Sequence, residues 1–176
     1  MKDKNYFKQF DIRFGSLAIG CHQQEVEINQ SFFERYDNEQ IIDANIIVKI
    51  NIDRRENMVS LDFEIEGTLV SYCDLCLEEL TISVAKHEIL ILKITGEAKE
   101  SDDENIIFLG EKEYTFNTEQ VINEYLMSLI PMRKTHQEIS NGSCNQQMID
   151  LIEQAKAKPS QAFDERWEAL KNIKIE

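Results

Sequence analysis

The stretch Ser71-Tyr72-Cys73-Asp74-Leu75-Cys76-Leu77-Glu78-Glu79-Leu80 constrains the fold most, because a strand runs into it and another runs out of it. On the N-terminal side Leu61, Phe63 and Ile65 alternate with Asp62, Glu64 and Glu66, and the run Leu69-Val70-Ser71-Tyr72 leads into Cys73. On the C-terminal side Leu80, Ile82 and Val84 alternate with Thr81, Ser83 and Ala85. A period of two is that of a strand with one buried face, so the close cysteine pair caps a β-hairpin.

Two cysteines separated by two residues place their sulfurs on one side of a tight turn, which suits either a metal ion or a redox disulfide. A thioredoxin-type pair requires a helix N-terminus directly after the strand, to stabilise the first thiolate. No helical periodicity follows Cys76, so the hairpin resembles half of a zinc site more than a redox motif. Structural zinc takes four protein ligands. The polar loop that runs from Arg133 through Ser140-Asn141-Gly142-Ser143 to Cys144 offers two more, His136 and Cys144. A helix packed on the sheet and ending near the hairpin tip would deliver both, completing a Cys₃His set. The competing reading is an empty, reduced pair with His136 on the surface. Cys21-His22, beside an earlier strand, reads as structural rather than ligating.

The other segments divide into strands first and helices last. Val26 and Ile28 mark a strand, and Phe32 and Phe33 behind it are expected core anchors. Ala44, Ile46, Val48, Ile50 and Ile52 form a long half-buried strand interrupted by Ile47, and Arg54-Arg55-Glu56-Asn57 turns it into the strand from about Met58 to Cys73. The second hairpin arm continues through Ile89-Leu90-Ile91-Leu92, past a bulge expected at Lys86-His87-Glu88, where the alternation breaks. Glu97 to Glu104 is a charged tract expected to be a solvated loop, and Ile106-Ile107-Phe108-Leu109 is a short strand. The period then changes. Asn117 or Thr118 caps a helix carrying Val121, Ile122, Tyr125, Leu126 and Leu129, which Pro131 ends. Met148, Ile149, Leu151, Ile152 and Ala155 define a second helix, and Trp167, Leu170 and Ile173 a short third one capped by Asp164. This order predicts an α+β fold: an antiparallel β meander or partly closed barrel-like sheet followed by two to three C-terminal helices. Residues 1–157 form the domain and 158–176 a tail with a short helix.

Composition narrows the function. The 176 residues carry 33 acidic and 19 basic side chains, a formal net charge of −14, which disfavours non-specific binding to phosphate backbones and anionic lipid and suits a basic protein partner. The opening Met1 to Lys8 lacks the apolar run of a secretory signal and no segment is apolar enough to span a bilayer, so the expectation is a cytoplasmic protein with reduced cysteines. No glycine-rich phosphate loop, nucleophile elbow or His-Glu-x-x-His helix is present, no small-molecule substrate is evident, and catalysis is not indicated.

Taken together, Cys73-Asp74-Leu75-Cys76-Leu77 with its following strand, Glu124-Tyr125-Leu126-Met127-Ser128-Leu129-Ile130-Pro131, then His136 and Cys144, and finally Asp164 to Lys171 resemble the YceD-like family, named for large ribosomal RNA subunit accumulation. The resemblance covers roughly Gly67 to Lys174. It implies a non-enzymatic role in synthesis, processing or stability of large-subunit ribosomal RNA, with a basic ribosomal protein or precursor RNA as partner. It also implies that Cys73, Cys76, His136 and Cys144 occupy the positions where relatives carry Cys or His, with zinc the metal to expect. Ile130 before Pro131 and the long gap from His136 to Cys144 depart from the family pattern. The alternative from another class is a thiol-disulfide redox protein using Cys73 and Cys76.

Overall fold

The alternating segments zip into long neighbours, as their shared buried phase requires. A computed structural model describes residues 6–95, 103–140 and 142–157. After a 3₁₀ turn at Tyr6–Phe10 come β1 (Asp11–Ile12), a second 3₁₀ turn at Phe14–Ser16, β2 (Gly20–Ile28) and the short helix α1 (Gln30–Arg35). Then follow β3 (Ile41–Arg54), β4 (Met58–Tyr72), β5 (Glu79–Ile94), β6 (Ile106–Leu109), β7 (Phe116–Asn117), α2 (Glu119–Leu129), α3 (His136–Ile139) and α4 (Gln146–Ala157). The main sheet has the order β2-β3-β4-β5-β6, and β1 pairs with β7 in a small second sheet. The sheet is open, so of the two forms expected the meander is the one adopted, on an α+β plan with helices mostly C-terminal.

The meander is antiparallel from β2 through β5, but β6 pairs parallel to β5, with Ile91 opposite Ile106 and Ile94 opposite Leu109. The meander expected through Leu92 is thus antiparallel, and β6, for which the sequence implied no direction, adds a parallel neighbour. The bulge expected at Lys86-His87-Glu88 is absent: Ile65 faces Lys86, Glu64 faces His87 and Phe63 faces Glu88 without a shift. Lys86 and Glu88 keep the inward phase. They occupy it as an ion pair at 3.2 Å, where Lys86 also donates to Ser128 Oγ of α2 at 2.8 Å, so polarity alternates differently while direction does not. The register irregularity lies instead between Ile41 and Asp43, at the start of β3. Gly67 is required where β3 and β4 cross closely. Its φ is +156°, and a Cβ there would stand 2.3 Å from the Asn45 carbonyl oxygen and 2.6 Å from the Ile46 Cα.

One face of the sheet carries the core. Val48, Ile50, Leu61, Phe63, Ile65 and Leu92 are buried in one cluster with Ile122 and Leu126 of α2. Tyr125 stands edge-on to Phe63 at 5.6 Å between ring centroids. Phe32 and Phe33 are buried as expected, and Phe10, Ile12 and Phe14 from the opening segment join them. At the start of α2 the Asn117 Oδ1 accepts from the Glu119 N–H at 2.9 Å, while Thr118 Oγ1 donates to the Phe10 carbonyl at 3.0 Å. Thr118 is the N-cap of α2 but directs its hydroxyl to the N-terminal segment, and Asn117 one residue before it satisfies the Glu119 N–H instead. The Glu97–Glu104 tract falls mostly, and the helix expected around Trp167 wholly, outside the described residues. No helix among the described residues is long and apolar enough to cross a membrane.

Candidate metal centre

The hairpin tip is a tight knuckle. Cys73 donates its N–H to the Glu78 carbonyl at 2.8 Å and accepts from the Leu77 N–H at 3.0 Å through its own carbonyl. Leu77 closes the turn with φ of +60°, a conformation that costs a side-chain-bearing residue about 1–2 kcal/mol. The turn aims backbone N–H groups at the Cys73 sulfur, that of Leu75 at 3.5 Å. Cys73 and Cys76 are both buried.

The loop after α2 is clamped to this knuckle. Asp74 donates its N–H to the Lys134 carbonyl at 2.7 Å, and the Lys134 N–H returns a bond to the Asp74 carboxylate. Thr135, itself buried, caps the one-turn helix α3 by accepting from the Glu138 N–H at 3.3 Å, and this fixes His136 as the first helical residue. The expected plain loop thus contains a helical turn. That turn also explains how the long gap to Cys144 closes: Ser140 and Gly142 both donate N–H groups to the His136 carbonyl, at 3.1 and 3.0 Å, folding the chain back on itself. Asn145 then donates to Glu78 Oε1 at 2.7 Å and holds the start of α4 against the knuckle.

The result is a cluster. Ligand atoms of Cys73, Cys76, His136 and Cys144 lie within 4.8 Å of one another, close enough to hold a metal ion. The Cys73 and Cys144 sulfurs are 3.7 Å apart, Cys76 Sγ is 3.4 Å from His136 Nδ1, and Cys144 Sγ is 3.8 Å from the same nitrogen. A tetrahedral zinc with its usual bond lengths has S···S edges of about 3.8 Å and S···N edges of about 3.6 Å. These three separations match edges of that polyhedron to within about 0.2 Å. His136 Nε2 is 3.2 Å from the Glu79 carbonyl, so it carries the proton and donates, which leaves the Nδ1 lone pair facing the sulfurs.

Electrostatics within the cluster separate two of the thiols. Burial pushes the Cys73 thiol up, but N–H groups of Cys76, Leu75 and His136 directed at the sulfur outweigh it and bring it down to about 6. Cys144 is pushed up to about 11, first by desolvation and then by the neighbouring Cys73 sulfur. The two opposite shifts favour one thiolate beside one thiol, a charge that suits a cation ligated here. Cys21 and His22 lie far along the sheet on β2, with Cys21 exposed and His22 bonded through Nε2 to the Ala18 carbonyl at 2.8 Å. They are not part of the cluster.

The four donors were all legible as residue types. The clamping bonds of Asp74 and Thr135 were not, since neither carries a motif of its own. No curated protein and no solved structure matches this chain. The sequence profile described as large ribosomal RNA subunit accumulation protein YceD matches residues 61–174, well over half of the 176 residues, spanning the knuckle, α2, α3, α4 and all four donors. A chain matched over that span belongs to the YceD family of large ribosomal RNA subunit accumulation proteins.

Proposed function

We propose that this protein is a non-enzymatic factor in the accumulation of large-subunit ribosomal RNA, built around a structural zinc centre of Cys73, Cys76, His136 and Cys144. The observation that carries the reading is the convergence of these four donors, from two separate parts of the chain, inside the span that defines the family. Three soft sulfurs and one imidazole are a donor set for zinc, and four protein ligands leave no open position for chemistry. Bound there, zinc supplies a fixed crosslink. The chain's own residues do the rest: Asp74 and Lys134 align the two loops, and the Glu79 carbonyl orients His136.

The partner is a basic ribosomal protein or the precursor of the large-subunit ribosomal RNA, and the cytoplasm is where either would be met. The net charge of −14 favours the protein. Depletion of the protein in its host is expected to lower large-subunit ribosomal RNA relative to small-subunit RNA and to reduce free and assembled large subunits. Unchanged RNA levels and subunit profiles after depletion would remove the proposal.

A second reading, a thiol-disulfide redox protein using Cys73 and Cys76, is favoured by the depressed Cys73 thiol. Two observations weigh against it. Cys73 and Cys76 are 0% and 3% exposed, closed to a partner's disulfide, and the turn leads into β5 rather than a helix. The two readings separate on one measurement: reversible oxidation of this pair in cells, with no metal bound to the reduced protein, would favour redox chemistry.

A further inference from the structure

The helices and the 3₁₀ turns cover one face of the sheet, and the described residues leave the opposite face of β2 to β5 bare. Its residues are set by the register. Glu25, Lys49, Glu64 and His87 form one row across the strands, and Glu27, Ile47, Glu66 and Ala85 form the next. Glu25, Glu27, Glu64 and Glu66 are exposed, and among the described residues none forms an ion pair. Asp53 and Asp62 on the same face are already matched, by Arg55 at 2.9 Å and His87 at 2.6 Å.

These four carboxylates, of which Glu64 also accepts a hydrogen bond from Asn51 Nδ2 at 3.5 Å, stand at the corners of a rectangle. Successive outward residues on one strand are about 6.7 Å apart, and β2 and β4, with β3 between them, are about 9.6 Å apart. Ile47, 40% exposed, sits between Glu27 and Glu66, and the exposed Lys49 sits between Glu25 and Glu64, so four carboxylates and one ammonium leave the patch with a net charge of −3. A groove of about 390 Å³ runs through it between Asn45, Ile47, Lys49, Glu64, Glu66 and Gly67. Gly67 contributes no side chain to its floor. The surface thus offers net negative charge at the i, i+2 spacing of an extended chain, around one exposed isoleucine that the methylene stem of a lysine or arginine can cover.

We propose that this bare face of β2 to β5 is the docking surface for a lysine- and arginine-rich polypeptide segment laid in extended form over Ile47 and between the Glu25/Glu27 and Glu64/Glu66 pairs. The proposal rests on the reading of the protein as an assembly factor with a basic protein partner, and names the surface that reading needs. Charge complementarity selects the occupant: a nucleic acid backbone would meet four carboxylates and Lys49 alone. Long acidic faces also speed encounter with a basic partner, in a salt-dependent way.

The test uses full-length protein, checked for unchanged circular dichroism and metal content. Glu25→Gln, Glu27→Gln, Glu64→Gln and Glu66→Gln are combined in one variant. A control combines Glu34→Gln, Glu39→Gln, Glu111→Gln and Glu113→Gln, exposed acids off this face. The probe is a labelled synthetic peptide alternating lysine or arginine with alanine, followed by fluorescence anisotropy at two salt concentrations. The face variant should bind roughly tenfold or more weakly and with a flatter salt dependence, and the control should stay within about twofold of the natural protein. Equal losses in both variants would mean net charge alone is at work and would overturn the proposal. So would a structured RNA binding the natural protein more tightly than the peptide, or a dimer that only the face variant dissolves. If the peptide result holds while depletion leaves ribosomal RNA unchanged, the surface stands and the assembly role falls.

Discussion

Removing the metal should release the C-terminal helices and leave the sheet intact, and the structure sets the scale. In α4 no described side chain is fully buried: Met148, Ile149 and Ile152 are half-buried, and Leu151 is 58% exposed. Three half-buried apolar side chains contribute about 2–4 kcal/mol in all. Ordering the backbone costs about 1 kcal/mol per residue, and a helix of this length barely offsets that on its own in water. His136 and Cys144 are therefore the anchors that decide whether 136–157 stays docked, helped by the Asn145 to Glu78 bond. The long β3, β4 and β5 ladders carry their own core and do not depend on the centre. Hydrogen exchange followed by mass spectrometry, with and without a strong chelator, reads this directly. Amides in 136–157 should exchange about 100-fold faster or more after chelation, equivalent to about 3 kcal/mol of lost local stability, with β3 to β5 unchanged within about threefold. Unaltered exchange in 136–157, or a loss shared equally by the sheet, would mean that the centre does not anchor these helices.

Other outcomes follow from single positions. Gly67→Ala drives a Cβ into the Asn45 carbonyl and Ile46 Cα, backbone atoms that cannot rotate away, and should cost about 3–5 kcal/mol in urea unfolding; a loss below about 1 kcal/mol would mean the strands part freely. Leu77→Gly relieves a left-handed backbone at an exposed position and should raise stability by about 0.5–1 kcal/mol after the entropy of the unfolded glycine is counted. In chelated protein, ultraviolet thiolate absorbance should show one cysteine ionised by about pH 6, a step missing from Cys73→Ser. Because Cys73 is lowered from 9.0 to about 6, its contribution to metal-free stability is full above about pH 9 and is lost as pH falls through 6.

Most of the sheet was legible because half-buried strands write their phase into alternating residues, from Ala44 to Ile52 and from Leu61 to Ile65. Even Ile47, out of pattern, points outward at 40% exposure, as its position in the period demands. The pattern misled at Lys86 and Glu88, since inward direction and apolar character part company where Ser128 and an ion pair satisfy the charges. The parallel pairing of β6 left no trace in Ile106 to Leu109, because a strand's own residues do not encode its partner's direction. Phe10, Ile12 and Phe14 were missed as core for a related reason: they lie in 3₁₀ turns and a two-residue strand, too irregular for either period. At the centre the four donors were legible from type and place, while their meeting depended on the Asp74–Lys134 clamp and the helical turn after Thr135. Those are hydrogen bonds between distant residues, which no local spacing announces.

The central claim is tested most directly by metal analysis of the full-length protein purified without chelator, beside Cys73→Ser and His136→Ala. About one zinc per chain is expected in the natural protein, with most of it lost from both variants, as a four-ligand site requires. Zinc absent from the natural protein, or retained equally by both variants, would contradict the claim.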